Sequence, residues 1–401
     1  MINDQVGAEL SSNFRVLHGR LYSALLSQFG VKYIDDIEDV IQNTFLKALK
    51  TWKPGKIPEK KESWLFIVAK NEMINYIKSL ESKRNAALES DQLEEAESTL
   101  RDLRLETILF ISDQEELSIK AKTILILKNV FGLHVKEICN TTLISEEAIH
   151  KLVNRTNKKL QGIDRDSFEL DQEVSEEKVR VVVDILYAVF AIGFDSFDTK
   201  ANKIVNDDLC LEALSLARLL TQRHPTDVCS NLIALFCFHI SRIPAKVDNG
   251  ELVSFQKQDR EKWDRDLINL GFKYLRKPQV LHPFYLEALI TSRHMSTVDF
   301  TTNHWKEIVK LYKLWSLISD SPLIKLNMAY SLFLAGELTE SQELLTALEE
   351  ALPENHFYLD MVKAEMLKEN SPADYEKIIR SKVNDLDHEL RRDFLMKKLN
   401  D

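Results

Sequence analysis

Cationic and amide side chains recur at helical spacing near residue 150, where they could bind nucleic acid. The stretch SEEAIHKLVNRTNKKL (Ser145–Leu160) predicts a helix with apolar residues on one side. Its other side carries His150, Lys151, Asn154, Arg155 and Lys158. Amide and guanidinium groups can read base edges in a DNA groove, and ammonium groups can bind phosphates. The alternative is a basic helix face that is only solvated.

A second candidate surface lies in DDIEDVIQNTFLKALKTW (Asp35–Trp52). Four acids stand at its start, and apolar residues follow at helical spacing: Ile37, Val40, Ile41, Phe45, Leu49 and Trp52. An acidic face that offers hydrogen bonds would complement a large basic partner. The alternative is an amphipathic surface helix whose acids only favour its N-terminus.

No residue pattern in the sequence points to catalysis. The histidines of the C-terminal half lack metal-ligand spacing, and the P-loop and GxSxG motifs are absent from the sequence. The four cysteines lack CxxC spacing and are interpreted as buried thiols in a reducing compartment. We therefore expect no enzymatic activity, no metal and no cofactor.

The elements that position these surfaces are predicted to be helical throughout. The 401 residues include only 10 Gly and 9 Pro, too few for the turns of a β-rich fold. Nearly every segment has helical periodicity, so the prediction is an all-α protein. Neither a signal peptide nor an apolar run of transmembrane length is recognised, which predicts a cytoplasmic protein without a membrane partner.

Changes in composition predict three helical domains, residues 1–84, 102–162 and 179–401. The acid-rich stretches 85–101 and 163–178 are predicted linkers. Residues 1–165 hold 24 basic and 24 acidic residues, so the net charge of −10 belongs to the remainder of the chain. A neutral N-terminal part can still present local basic faces.

Two local patterns refine these domains. A short helix (Val135–Cys139), a turn (Asn140–Leu143) and a helix capped by Ser145 predict a helix-turn-helix. In the C-terminal domain, residues 321–355 predict a helix hairpin with its turn at Gly336, followed by a helix that Pro353 opens. Such hairpins are typical of tetratricopeptide (TPR)-like repeats, which stack to bury their apolar faces.

Several stretches, in order, resemble the extracytoplasmic-function (ECF) sigma factors of the sigma-70 family. Over about residues 10–162 they are EDVIQNTFLKAL, SWLFIVAKNEMINYIKS and ISEEAIHKLVNRTNKKL. Further on, ILYAVFAIGF, DDLCLEALSLARLL and DNGELVSFQKQDREKWDRDLI resemble the subgroup with a TPR-like C-terminal extension. The resemblance implies a bacterial factor that directs core RNA polymerase to promoters and helps to melt them.

The resemblance also assigns partners and residues. The β′ clamp helices of polymerase would bind Asp39, Gln42 and Asn43, and the β flap is a further expected contact. The minus-ten DNA element would bind Lys56, Lys60, Lys61, Lys70, Asn71, Asn75 and Lys78. The minus-thirty-five element would bind Thr142, His150, Lys151, Asn154, Arg155 and Lys158.

Some positions depart from the family pattern. Asn43 stands where an acid is frequent. Ile67 and Tyr76 stand where arginines are frequent, and Asn75 stands where an aspartate is frequent. The minus-ten surface is thus less basic than is usual in the family. Melting of the promoter DNA would therefore depend more on polymerase. Leu152 replaces a frequent Arg and is expected to pack inward, and Trp64 is expected in the core rather than as a platform for a base.

By resemblance, the C-terminal domain would regulate the sigma domains in cis, and its groove would take a protein or peptide. We expect this acidic domain to contact the basic DNA-reading faces when no partner is bound. Its signature motif contains Gly250, Glu251, Asp259, Arg260, Trp263 and Asp264. The motif is either an ion-paired joint to the DNA-binding domains or, slightly favoured, a brace inside the C-terminal domain.

Two other functions compete with this reading. The chain could be a polymerase-independent helix-turn-helix regulator with a TPR sensor, or a scaffold whose sigma-like parts no longer bind DNA. The N-terminal domain discriminates between these functions, because a regulator of that type has no use for the acidic Asp35–Trp52 face or for the lysine loop, residues Lys53–Glu62.

Overall fold

The structure is a computed structural model that describes residues 2–53, 57–82, 102–142, 144–163, 174–195, 204–353, 356–386 and 388–400. Lys56, the predicted linker 85–101 and most of the linker 163–178 lie outside these residues. The described residues are helical apart from short connections and one small hairpin, which confirms the all-α prediction. The chain divides into two compact units, residues 1–185 and residues 186–401.

The first half of the N-terminal unit, residues 2–82, contains three helices. They are α1 (Ile2–Phe29), α2 (Ile34–Thr51) and α3 (Lys61–Ser82). Each of the three packs against the other two. Their shared core consists of side chains that are fully buried, among them Leu21, Leu25, Ile37, Ile41, Leu65 and Met73.

The apolar side of α2 differs from the prediction at one position. Leu49, predicted in the buried stripe, is 41% exposed, whereas Ala48 is fully buried. The reason is helical geometry: at 3.6 residues per turn, a position seven residues after Ile41 returns to the same side, and the eighth has rotated away. Trp52 ends α2 and is buried, and its ring meets the edge of the half-buried Trp64 ring at a centroid distance of 5.3 Å.

The second half of the N-terminal unit, residues 102–163, contains α4 (Arg104–Asp113), α5 (Ile119–Asn129), α6 (Val135–Thr142) and α7 (Glu146–Leu160). The Ser145 hydroxyl accepts a hydrogen bond from the Ala148 amide at 3.3 Å, so the predicted cap of α7 forms. The turn predicted at Asn140–Leu143 is shorter, because α6 continues to Thr142. The Thr142 hydroxyl donates to the Ile138 carbonyl at 2.6 Å, one helical turn back.

Helix α8 (Glu176–Phe194) crosses the boundary between the units. The remaining elements are α9 (Asp207–Arg223), α10 (Asp227–Ile240), α11 (Ile243–Lys246), β1 (Val247–Asp248), β2 (Glu251–Leu252), α12 (Arg265–Tyr274), α13 (Pro283–Ser296), α14 (Thr302–Ser316), α15 (Pro322–Leu334), α16 (Leu338–Ala351), α17 (Phe357–Leu367), α18 (Pro372–Asn384) and α19 (Glu389–Asn400). The two short strands pair antiparallel.

Helices α15 and α16 form the predicted hairpin. Gly336 turns the chain with a φ of 80°, a backbone conformation that favours glycine. Ala329 is fully buried, and the Ser341 hydroxyl donates to its carbonyl at 2.7 Å. Pro353 does not open the following helix as predicted: α17 begins at Phe357, after His356.

The half-buried Glu287, on α13, contacts the first helix of the C-terminal unit through its carboxyl group. The Tyr187 hydroxyl, on α8, donates to Oε1 of Glu287, on α13, at 3.1 Å. Burial raises the pKa of Glu287 to about 7, although the hydrogen bond from Tyr187 opposes this shift. Burial also raises the pKa of Tyr187 and of Tyr312. This carboxyl group is therefore only partly ionised near neutral pH.

Candidate functional site

Helix α2 presents a hydrogen-bonding face to solvent. Asp39, Gln42 and Asn43 are all exposed, and their spacing places them on one side of the helix. Leu46, one turn further, is 51% exposed and extends the same face with an apolar side chain. Leu46 was not among the residues predicted for this face, although its spacing from Gln42 and Asn43 indicates it.

The residues predicted to bind the minus-ten element fall into two groups. Lys60 and Lys61 lie where α3 begins, and Lys70, Asn71, Asn75 and Lys78 lie from its middle onward. The two ends, Lys60 and Lys78, are separated by about 27 Å of helix at 1.5 Å per residue. Asn71, Asn75 and Lys78 are exposed, and they share their side of the helix with Ile67, which is 50% exposed.

Tyr76 ties this helix to the acidic start of α2. Its hydroxyl is hydrogen-bonded to the Asp36 carboxylate, and this bond raises the pKa of Tyr76. Lys47 forms an ion pair with Glu72, a second link between α2 and α3. The exposed face of α2 that carries Asp39 and the second half of α3 are therefore held in a fixed relation.

Helix α7 turns its apolar side inward and its cationic side outward. Ile149, Val153 and Leu160 are buried. The outward side carries the exposed residues His150, Lys151, Asn154, Arg155 and Lys158. Leu152 is half-buried, as expected for an inward-packing side chain.

Three side chains on or near this face, Lys151, Lys159 and Thr142, have intramolecular partners. Lys151 forms an ion pair with Glu147 at 2.6 Å, but both side chains are largely exposed, so this pair is weak and easily exchanged. The Lys159 ammonium donates to the Glu116 carbonyl at 2.9 Å and points toward the preceding helices. Thr142, also predicted to bind DNA, uses its hydroxyl hydrogen inside α6 and retains only acceptor capacity.

The signature motif of the C-terminal unit forms contacts within that unit. Arg260 donates to the Met295 carbonyl at 2.8 Å and lies over the ring of the buried Trp263. The Asp264 carboxylate caps α12, and its backbone amide donates to the Ser241 carbonyl at 2.9 Å. These bonds connect the segment to α10 and α13, as a brace would.

The other motif residues shape the turns of this segment. Gly250 has a φ of 80° in the hairpin turn, and Asp259 accepts from the Glu261 amide at 3.0 Å. Glu251 forms an ion pair with Lys397 on α19, and Lys262 pairs with Asp248 at 2.6 Å. The motif thereby also reaches the last helix of the unit.

A cavity in the C-terminal unit could receive a ligand. It has a volume of about 370 Å³ and lies between α15, α17 and α19. Its wall combines aromatic and aliphatic residues with an ion pair between Glu365 and Lys398 at 2.5 Å. Among the described residues, no three His, Cys, Asp or Glu side chains are grouped in a way that could hold a metal ion.

Comparison with known families finds a match in the N-terminal part of the chain. Residues 14–83 match sigma-70 region 2. This match supports a factor of the sigma-70 family and implies that α1–α3 bind core RNA polymerase and promoter DNA. Region 2 is not an enzymatic domain, and none of the described helices combines the length and apolarity that a bilayer span requires.

The remaining comparisons are less specific. Residues 178–279 match a family of unknown function, DUF6596. An uncharacterized protein of Rhizobium meliloti (strain 1021) is 29% identical over 370 residues, which cover 86% of this chain and 84% of the relative. No solved structure matches the chain. The relative aligns with most of both units, so their combination is not peculiar to this chain.

Proposed function

We propose that this protein is an RNA polymerase sigma factor of the ECF type, which directs core polymerase to specific promoters and starts transcription. The observation that carries the proposal is the exposed face of Asp39, Gln42 and Asn43 on a helix inside the region 2 match. The second helix of the helix-turn-helix adds an outward cationic face. A polymerase-independent regulator would need only that second face.

Each half of the N-terminal unit then binds one promoter element. Helix α2 binds the β′ clamp helices, while α3 and its preceding lysines bind the opened minus-ten element. Exposed amides and ammonium groups on α3 suit unpaired bases and the phosphates that join them. Residues 102–163 act as sigma region 4, with α7 in the major groove of the minus-thirty-five element and the β flap as the polymerase contact.

The C-terminal unit regulates the sigma domains in cis. The charge distribution supports this regulation in cis. The net charge of −10 belongs to residues 166–401, whereas both DNA-reading faces are cationic or neutral. Its succession of packed helices suits a TPR-like domain, and the cavity between α15, α17 and α19 is the place for a protein or peptide ligand.

Run-off transcription with core polymerase on genomic promoter fragments tests the proposal. Full-length protein is expected to yield specific transcripts, and a 1–165 truncation is expected to yield several-fold more. Equal yields would contradict regulation in cis but leave the sigma function standing. No transcript from either form, together with failure to co-elute with core polymerase, would favour the polymerase-independent regulator.

Substitutions on α7 should separate base reading from phosphate binding. Asn154→Ala is expected to weaken binding to the specific promoter by about 1–3 kcal/mol and to leave non-specific DNA nearly unaffected, because it removes a base-edge contact. Lys158→Ala is expected to weaken both equally and to reduce the slope of log K against log salt by about 1, because one phosphate contact is lost. Titrations of the polymerase complex with labelled DNA at several salt concentrations measure both effects.

Both side chains are exposed, so neither substitution should lower the melting temperature of the protein. A Lys158→Ala variant whose salt slope is unchanged would place this residue outside the DNA interface.

A further inference from the structure

Two helices of the C-terminal unit present matching faces to the cavity of about 370 Å³. On α15 the lining residues begin at Leu323 and end at Tyr330, and on α17 they begin at Tyr358 and end at Glu365. In both helices they recur at i, i+3, i+4 and i+7, which is the spacing of one helix face. Each row is about 10 Å long, at 1.5 Å per residue. The cavity is therefore a short groove between two helix faces.

The two ends of this groove differ in polarity. Tyr330 and Glu365 lie close together at one end, because burial, and next the charge of Glu365, raise the pKa of Tyr330 to about 12. Lys398 of α19 reaches this end and pairs with Glu365 at 2.5 Å. At the other end of the two rows, Leu323 is 51% exposed and Tyr358 is 47% exposed. The groove is thus open and largely apolar at one end and bounded by a charged pair at the other.

Of the two charged groups, the Glu365 carboxylate is the fixed one. Glu365 belongs to α17, which is anchored by the buried side chains of Leu359 and Ala364. The Lys398 ammonium stands on a flexible four-carbon stem, and it also lies 5.6 Å from the centroid of the Phe394 ring on its own helix. The pair is 22% and 31% exposed, and such a partly exposed pair exchanges its partners readily. Another ammonium group can therefore replace that of Lys398 on Glu365.

The charge around the groove favours a cationic ligand. Residues 321–353, which include α15 and α16, contain five acidic residues against one lysine. Tyrosine rings attract ammonium groups to their faces, and a tyrosine stands at each end of the groove. An anion would be repelled by the same acids and would gain only the Lys398 ammonium.

The size of the groove limits what can enter it. A water molecule accounts for about 30 Å³ of the liquid, so the cavity corresponds to about twelve such volumes. This space suits a lysine side chain together with an apolar neighbour. A partner helix with its side chains has a diameter of about 10–12 Å, and a groove about 10 Å long does not enclose it. The groove therefore fits individual side chains of an extended peptide.

We propose that this groove binds a peptide of a partner protein through a lysine side chain, whose ammonium displaces Lys398 and pairs with Glu365 while an adjacent apolar side chain packs near Leu323. This inference rests on the proposed function, which assigns a protein or peptide ligand to the cavity. Binding exchanges one ion pair for another, so the net gain comes from the apolar surface that is buried. Lys398 is then an internal competitor of the ligand.

Isothermal titration of the full-length protein with small probes tests this site. A terminally blocked Leu-Lys-Leu peptide is expected to bind. The same peptide with acetyl-lysine keeps the length and loses the charge, so it should bind at least about tenfold more weakly. A blocked Leu-Glu-Leu peptide should not bind. The compound n-hexylammonium carries the charge without a peptide, and it should bind more weakly than Leu-Lys-Leu.

Substitutions of the two charged residues should change the affinity for Leu-Lys-Leu in opposite directions. Glu365→Gln is expected to lower it about tenfold or more, because the ammonium loses its partner. Lys398→Ala is expected to raise it about threefold or more, because the internal competitor is removed. Lys363→Ala is the matched control. Lys363 is 32% exposed and pairs with Glu349 at 2.6 Å away from the groove, so its loss should change the affinity less than about twofold. A damaged fold could not produce the gain expected for Lys398→Ala.

Three results would overturn the proposal. Unchanged or weaker binding of Leu-Lys-Leu to the Lys398→Ala variant, or tighter binding of Leu-Glu-Leu than of Leu-Lys-Leu, would contradict a cationic ligand. Equal affinities for n-hexylammonium and Leu-Lys-Leu would contradict a peptide and indicate a free small amine. Absence of binding by every probe, to the Lys398→Ala variant as well, would remove the site. These titrations contain neither polymerase nor DNA, so their failure is distinct from a failure of the sigma function, which run-off transcription measures.

Discussion

Replacing Asp39 with Arg is expected to lower the affinity for core RNA polymerase about 100-fold or more. Asp39 stands at the N-terminal end of the exposed hydrogen-bonding face of α2, and its proposed partner is a basic coiled coil. Charge reversal there replaces an attraction with a juxtaposition of like charges, which costs several kcal/mol at an interface. Titration of labelled core polymerase, followed by run-off transcription, measures the loss.

The control for Asp39→Arg is Glu350→Arg, on α16 of the C-terminal unit. Both positions are exposed helix acids, and both substitutions change the net charge of the protein by the same amount. The control should retain polymerase affinity within about twofold, and both variants should keep the melting temperature of the wild type. Equal affinities for the two variants would remove Asp39 from the polymerase interface.

Glu287→Gln is expected to stabilise the C-terminal unit at pH 8 by as much as about 3 kcal/mol and to have little effect at pH 5. The carboxyl group has a pKa of about 7 in the folded protein against an ordinary value of 4.5. Because the folded pKa is the higher one, the protonated carboxyl group contributes stability that is fully present below pH 4.5 and is lost as the pH rises to 7. Glutamine retains an acceptor for the Tyr187 hydroxyl and carries no charge at any pH.

Calorimetry at the two pH values measures this effect in the transition of the C-terminal unit, where the gain at pH 8 amounts to about 5–10 °C. Glu350→Gln, at an exposed position, should change the melting temperature equally little at both pH values. A Glu287→Gln difference that is the same at pH 5 and pH 8 would show that this carboxyl group is not protonated in the folded protein near neutrality.

Sequence periodicity was sufficient to predict the helices and their outward faces. The sides of α2 and α7 follow from the spacing of Ile37, Ile41, Ile149 and Val153, because a helix buries whichever residues recur every 3.6 positions. The cap at Ser145 and the turn at Gly336 depend on the chemistry of single residues. They were therefore also predictable from the sequence. Leu49 was wrongly assigned to the buried side of α2. It lies eight residues after Ile41, one more than the seven that return to that side.

The contacts between elements could not be predicted in this way. Arg260 bonds to the Met295 carbonyl, and every residue has a carbonyl, so no side-chain pattern identifies that partner. The pairing of Tyr22 with Asn129 joins positions 107 residues apart, and polar residues of these types are common on helix surfaces. The same is true of Glu287, whose burial depends on packing between α8 and α13 rather than on its neighbours in the chain.

The edge contact between Trp52 and Trp64 has a practical consequence. These two rings stand on either side of the lysine loop, and each is anchored in a helix of region 2. Indole transitions at a centroid separation of 5.3 Å couple strongly, so the pair should give a characteristic near-ultraviolet circular dichroism signal. Residues 102–163 contain no tryptophan, and the other three lie beyond residue 260. The protein therefore carries its own optical reporter, one that senses a change in the separation of the two rings and that needs no added label.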